Sequence, residues 1–400
     1  MKATEQQQTK EMRVFLAASL INAAGSSLMW PLVSMYVFDE LGRSMTDAGL
    51  VILIQALGGI LGQFLGGSLY YRIGVKRLIV GSISLNALVL FSLPFISHSW
   101  TIFIGAMALV GFFHALSMPA IQSFIGFRFA ERRAEMFNIV YVANNVGVAI
   151  GTALSGFLAD LSYTYSFIGN AVTSALFGLF FYVYLQKVQS TASDIPIVDT
   201  QRKRADKEST GIWPLVRHFR IYLFMAVGTL LLNLGNSIWN TGVSPFIIAE
   251  GLPKKMYGFL WTLNGILIFI AQPLINVIRR TIAKSVNAQM TASSIFYLAA
   301  YIVIPIMNSY TGMVLAMILA TFGEMLISPA IPAFLSERGG KDAPFYLGLS
   351  GSISAIGRVA GPYMMGVLYD SGGLGPVAFL AIATAIVSTG FYCVHARLNR

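Results

Sequence analysis

The sequence predicts an all-α integral membrane protein, with twelve transmembrane helices in two pseudo-symmetric six-helix bundles. Three observations lead there. The 400 residues are 56% apolar and only 11% charged, with a mean hydropathy of +0.69, whereas soluble domains carry roughly a quarter charged residues. Twelve apolar runs are each long enough to cross a bilayer as a helix, which takes ~20 residues. The two halves also match one another at a fixed offset. One cysteine, Cys393, and four histidines exclude a disulfide scaffold and a zinc protein.

The runs fall at 13–38, 47–70, 77–97, 100–124, 136–159 and 165–185, then at 219–247, 256–278, 287–307, 311–335, 345–369 and 374–394. A helix satisfies its own backbone hydrogen bonds in lipid, so each run reads as one span. The first is too long to be a cleaved signal segment. The one long polar interruption, 187–212, divides the chain into an N-terminal bundle over 1–186, a cytoplasmic linker over 187–218 and a C-terminal bundle over 219–400.

The charges fix an orientation. With the N-terminus inside, 23 of the 27 lysines and arginines lie on the cytoplasmic side. Arg43, Lys254 and Lys255 fall outside, and Arg358 lies within a span. This is the positive-inside bias. The net charge of +10 is therefore an orientation signal and not the footprint of a nucleic-acid partner. Both termini are expected in the cytoplasm, and the short loops suit a bacterial inner membrane.

The repeat appears at a shift of 210 residues. Phe112, Leu116, Pro119, Ala120, Ile121 and Phe124 recur as Phe322, Leu326, Pro329, Ala330, Ile331 and Phe334. Gly147, Gly151, Gly156, Leu158 and Asp160 recur as Gly357, Gly361, Gly366, Leu368 and Asp370, and Gln63 matches Gln272 at a shift one residue shorter. A parallel repeat of six helices relates two halves about an axis along the membrane normal.

Three local patterns resemble the major facilitator superfamily, and within it the drug:proton antiporters of the lactococcal multidrug type. The loop Gly67-Ser-Leu-Tyr-Tyr71-Arg72-Ile-Gly74-Val75-Lys76-Arg77 is similar to the family's G-x3-D-R-x-G-R-K motif, with Tyr71 in place of aspartate and Val75 in place of arginine. The fifth span carries Gly147-x3-Gly151-Thr152-x3-Gly156, where the antiporter pattern has proline at Thr152; Pro362 supplies it in the repeat copy. The tenth span carries Gly323-Glu324 shortly before Ser328-Pro329. The arginine often found in the fourth span is missing. The resemblance implies a major facilitator fold and transport by alternating access. It implies no enzymatic activity and no cofactor beyond a proton gradient.

Of the seventeen acidic residues, Glu324 alone is expected deep within a span; the others fall in loops, termini or helix ends. A carboxylate at mid-bilayer is costly unless protonated, paired or facing water, so Glu324 is the candidate proton and cation site. Arg358, at similar depth on the next helix, is its expected partner. His114 is its repeat equivalent. Asn22 and Trp30 on the first span and Asn233, Asn236, Trp239 and Asn240 on the seventh are candidate cavity residues, with Asn144 and Asn145 on the fifth. Trp30 and Trp239 equally suit interfacial anchors, and Asn144 and Asn145 suit interhelical hydrogen bonds. Gly67, Arg72, Gly74, Lys76 and Arg77, with Gly147, Gly151, Gly156, Gly357, Gly361, Pro362 and Gly366, are candidates for conformational gating. No nucleophile–base pair, phosphate loop or metal cluster is legible. The expected function is proton-coupled efflux of amphipathic or cationic organic compounds by a monomer. A carrier of a specific sugar or metabolite, or a non-transporting sensor, are the alternatives.

Overall fold

The computed structural model describes residues 2–29, 32–33, 36–43, 45–191, 212–253 and 255–398, and 192–211 of the expected linker lie outside them. Among the described residues there is no strand. The first half comprises α1 (Lys2–Ser27), α2 (Met45–Ile73), α3 (Val75–Ile96), α4 (Trp100–Arg128), α5 (Arg133–Leu161) and α6 (Tyr163–Thr191). The second comprises α7 (Ile212–Gly235), α8 (Ser244–Ala249), α9 (Lys255–Ile270), α10 (Gln272–Thr281), α11 (Val286–Met307), α12 (Tyr310–Ile327), α13 (Ala330–Arg338), α14 (Ala343–Gly372) and α15 (Leu374–Leu398). Nine stretches of the described helices are long and apolar enough to cross a membrane, and the α9–α10 pair makes a tenth. α1 and α14 cover the two remaining expected spans.

Four spans differ from the expectation of unbroken helices, the tenth being interrupted between the end of α12 at Ile327 and the start of α13 at Ala330. The first helix ends at Ser27, and a π-helical turn follows at Tyr36–Glu40; α7 likewise ends at Gly235 before a π-helical turn at Trp239–Val243. The run 256–278 bends by 62° where α9 meets α10. Pro273 brings a ring and no N–H to that point, which breaks the helical ladder. The Gln272 amide donates to the Ile268 carbonyl at 2.7 Å and satisfies one of the carbonyls near the break.

The chain forms two compact units: 1–216 with 335–352, and 217–334 with 353–400. In the first, a Gly58/Gly62/Gly66 stripe on α2 lies against the carbonyls of Ala108, Phe112 and Leu116 on α4. A side chain at any of the three would collide with backbone, which is why small residues recur every fourth position. The repeat reappears in such contacts. Gly147 and Gly151 of α5 pack on the carbonyls of Leu20 and Ala24 of α1; Gly357 and Gly361 of α14 pack on those of Leu230 and Leu234 of α7. Each contact pair is shifted by 210 residues from its counterpart. Gly366 breaks the register, since nothing lies within 4 Å of where its Cβ would be, and the side-chain surroundings of Gly156 are outside the described residues.

One buried acid escapes the sequence pattern. Glu11 lies inside α1 and receives two hydrogen bonds from Arg128 of α4, at 2.8 and 3.1 Å, and one from the Tyr184 hydroxyl of α6 at 2.6 Å. Its side chain is 14% exposed. Phe15, one turn on, is packed edge-on by Phe129, Phe180, Phe181 and Tyr184. The helix simply begins earlier than the apolar run does.

Candidate functional site

The carboxyl of Glu324 sits on α12, half-buried within the second unit. The Asn264 amide, from α9, donates to Glu324 Oε2 at 3.1 Å and to Thr321 Oγ1 at 3.0 Å. Thr321 Oγ1 itself donates to the Met317 carbonyl at 2.7 Å. Tyr297 of α11 lies within electrostatic reach of Glu324. The backbone on either side is also held: Ser293 Oγ donates to the Gly323 carbonyl at 2.7 Å, and Arg279 of α10 donates to the Met325 carbonyl at 2.7 Å. Buried carboxylates need such donors. The bend at Ala271 lets both limbs of the broken span reach the same stretch of α12.

The expected Glu324–Arg358 pair does not form. Arg358 makes no ion pair among the described residues and stands exposed on α14. Neighbouring spans in sequence need not turn their charges toward each other, and α9 supplies an uncharged donor instead. Sequence reasoning missed Asn264. The one-residue-shorter repeat shift would have flagged it, since it aligns Asn264 with Gln55, a polar position on α2.

The other candidates scatter. Asn233 donates to the Ser354 carbonyl at 3.0 Å, tying α7 to α14. Asn236 is half-buried. Trp239 is 1% exposed, so its indole serves the core of the unit and is neither an interfacial anchor nor an open ligand surface. The π-helical turn rotates it inward. Asn240 accepts from the Tyr257 hydroxyl at 2.7 Å. In the first unit His114 is exposed on α4 and Asn22 half-buried on α1. Asn144 is half-buried on α5, and Asn145 donates to the Tyr141 carbonyl of its own helix at 2.9 Å. Trp30 lies outside the described residues.

The loop motif makes contacts of a different kind from those expected of its charges. Arg72 and Arg77 are exposed and form no ion pair among the described residues, and Lys76 stands 4.5 Å over the Tyr182 ring. Gly74 has φ +88, a left-handed conformation that glycine adopts without strain and that turns α2 into α3. Tyr71, where the motif has aspartate, donates its hydroxyl to the Lys341 carbonyl. Nearby in the same unit Gly67 meets Pro344, Phe345 and Gly348, Ser352 Oγ donates to the Ile60 carbonyl at 2.9 Å, and Arg133 approaches Glu337 at 3.8 Å. Residues 335–352, second-half by sequence, thus cluster with the first unit. Pro362 lies inside α14, well past that segment.

A many-span all-α chain with a doubled six-helix pattern and a lone acid in the tenth span narrows the family sharply, and comparison decides it. The family model of the Major Facilitator Superfamily matches residues 15–362. The chain belongs to that superfamily. It is therefore a multi-pass membrane transporter. It is 30% identical over 382 residues to the uncharacterized MFS-type transporter YttB of Bacillus subtilis, covering 95% of this chain and 93% of that one. It is 23% identical over 349 residues to the quinolone resistance protein NorA of Staphylococcus aureus, covering 86% of each. In fold, the transporter resembles a POT family transporter crystallised with 5-aminolevulinic acid, with a TM-score of 0.67 at 15% identity over 98% of this chain and 97% of that one.

Proposed function

We propose that this transporter exports amphipathic or cationic organic compounds in exchange for protons, as a monomer with both termini in the cytoplasm. The observation that carries the reading is Glu324, an acid placed mid-span on α12 whose Oε2 accepts from the Asn264 amide. Such a carboxyl can take a proton or face a cationic ligand, and the two compete for one charge. A relative named for quinolone resistance is in keeping with an exporter.

The test is transport in proteoliposomes with and without a pH gradient, using a lipophilic cation as substrate. The parent should accumulate it only with the gradient. Glu324→Gln keeps size and hydrogen bonding but removes the titration, and should abolish gradient-driven uptake while binding of neutral compounds persists. Full gradient-driven transport by Glu324→Gln would place coupling elsewhere in the chain.

A further inference from the structure

We propose that Arg358 is an anion-recognition residue, and that the amphipathic compounds this chain carries include ones bearing a carboxylate. The inference names a substrate class for the export read above and rests on that reading.

Depth comes first. Arg358 is the sixteenth of the thirty residues of α14, so about 20 Å of helix lies on either side of it. Half the hydrocarbon core of a bilayer is about 15 Å. A guanidinium does not deprotonate, so at this depth the charge must be paired or face water. Arg358 makes no ion pair, hydrogen bond or ring contact among the described residues. It faces water, therefore.

The surroundings give that water a shape. The side chain is open to solvent, yet protein surrounds the guanidinium on most sides. A side chain on the lipid face has protein behind it alone. One that is both enclosed and open lines a concavity.

Two further features belong to the same point. Pro362, four residues on, has no N–H to give to the Arg358 carbonyl. In a membrane, a carbonyl deprived of its helical donor is tolerated where it is buried in protein or lines a water-filled space. The rotation of α14 is also fixed, by contacts with α7. Asn233 donates to the Ser354 carbonyl at 3.0 Å, and Gly357 and Gly361 lie on the Leu230 and Leu234 carbonyls. One residue past Gly357, Arg358 points about 100° away from that packed face.

A guanidinium offers a planar fork of donors that matches the two oxygens of a carboxylate. An acid built into the chain would occupy that fork, and none does. The fork is left for a carboxylate that arrives with the substrate. An apolar body on the same molecule suits a ligand pocket, where a few polar groups fix orientation.

The test is binding of radiolabelled naphthylacetate, and of its uncharged isostere naphthylacetamide, to the full chain in phosphatidylcholine nanodiscs at neutral pH. The parent should bind the carboxylate about tenfold more tightly than the amide, or better, the value of one charged hydrogen bond. Arg358→Gln should erase the preference and leave amide binding in place. Arg358→Lys keeps the charge without the fork and should retain part of the preference; it also serves if the glutamine variant does not fold. A parent without preference, or a full preference in either folded variant, overturns the inference. Loss of the preference in nanodiscs containing phosphatidylglycerol would make a lipid headgroup the occupant and overturn the substrate assignment. An Arg358-dependent preference in a chain that shows no gradient-driven transport of a lipophilic cation overturns the export reading and not the anion site.

Discussion

The two units place their acids at different points of the repeat. In the first, the partly buried acid is Glu11 of α1, clamped by Arg128 of α4 and Tyr184 of α6. A shift of 210 residues carries Glu11 to Ile221, Tyr184 to Val394 and Arg128 to Arg338, so the second unit lacks the acid and the phenol of that clamp. In the second, the acid is Glu324, which accepts from the Asn264 amide; its equivalent in the first is His114. The local backbone differs to match. Where Thr321 supports Asn264, the first unit has Gly111 pressed against the Gln55 carbonyl, with no side chain to orient an amide. On the function proposed above, one duplicated scaffold carries an anchor in one copy and a switch in the other.

The strongest way to break this contrast is to exchange the roles by mutation. Glu324→Gln should eliminate gradient-driven transport, while His114→Gln should retain it and only flatten the acidic limb of its pH profile, read by proteoliposome uptake. Equal losses would mean that both copies titrate. Next in size, Glu11→Gln leaves Arg128 partly buried without its anion and should cost roughly 2–3 kcal/mol of stability, seen as a lower Tm in detergent with transport per folded molecule unchanged. Loss of coupling there would make the anchor a switch as well.

The packing register sharpens the comparison further. Gly151→Ala and Gly361→Ala each force a methyl into a backbone or side chain of the facing helix and should each cost about 1–3 kcal/mol. Gly366→Ala meets open space and should cost less than ~0.5 kcal/mol. Similar Tm losses for the first two and none for the third would confirm that the repeat is one of contacts; three equal losses would not. Tyr71→Phe removes the bond to the Lys341 carbonyl and should cost about 0.5–1.5 kcal/mol, visible as faster amide exchange over 338–346. Smallest of all, Arg358→Gln should leave the pH profile of transport unshifted, because no ion pair holds that guanidinium to Glu324.

What the sequence made legible was whatever runs along one dimension. Apolar stretches, the clustering of cations between them and the glycine register are all patterns of spacing, and the Gly147/Gly357 and Gly151/Gly361 contacts follow from the last directly. Partner choice is three-dimensional. Asn264 is sixty residues from Glu324 and meets it only because of how α9 is rotated, while Arg358, nearer in sequence, faces elsewhere. Pro273 was visible in the run 256–278, but hydropathy averages across a break, and the continuous apolar signal hid the bend. Glu11 was hidden for a related reason: it precedes the apolar run, so its burial depended on a helix starting where the composition is still polar.

The matched glycine contacts have a consequence for anyone mapping variants of this chain. Where two helices touch through backbone alone, tolerance to substitution is set by geometry and not by chemistry. The measured tolerance at positions 20, 24, 147 and 151 should therefore forecast that at 230, 234, 357 and 361. A scan of one half would serve as a template for the other along these helix pairs. The template should fail at 111 and 114 against 321 and 324, and the places where the two maps disagree would trace the residues on which the duplicated copies have diverged.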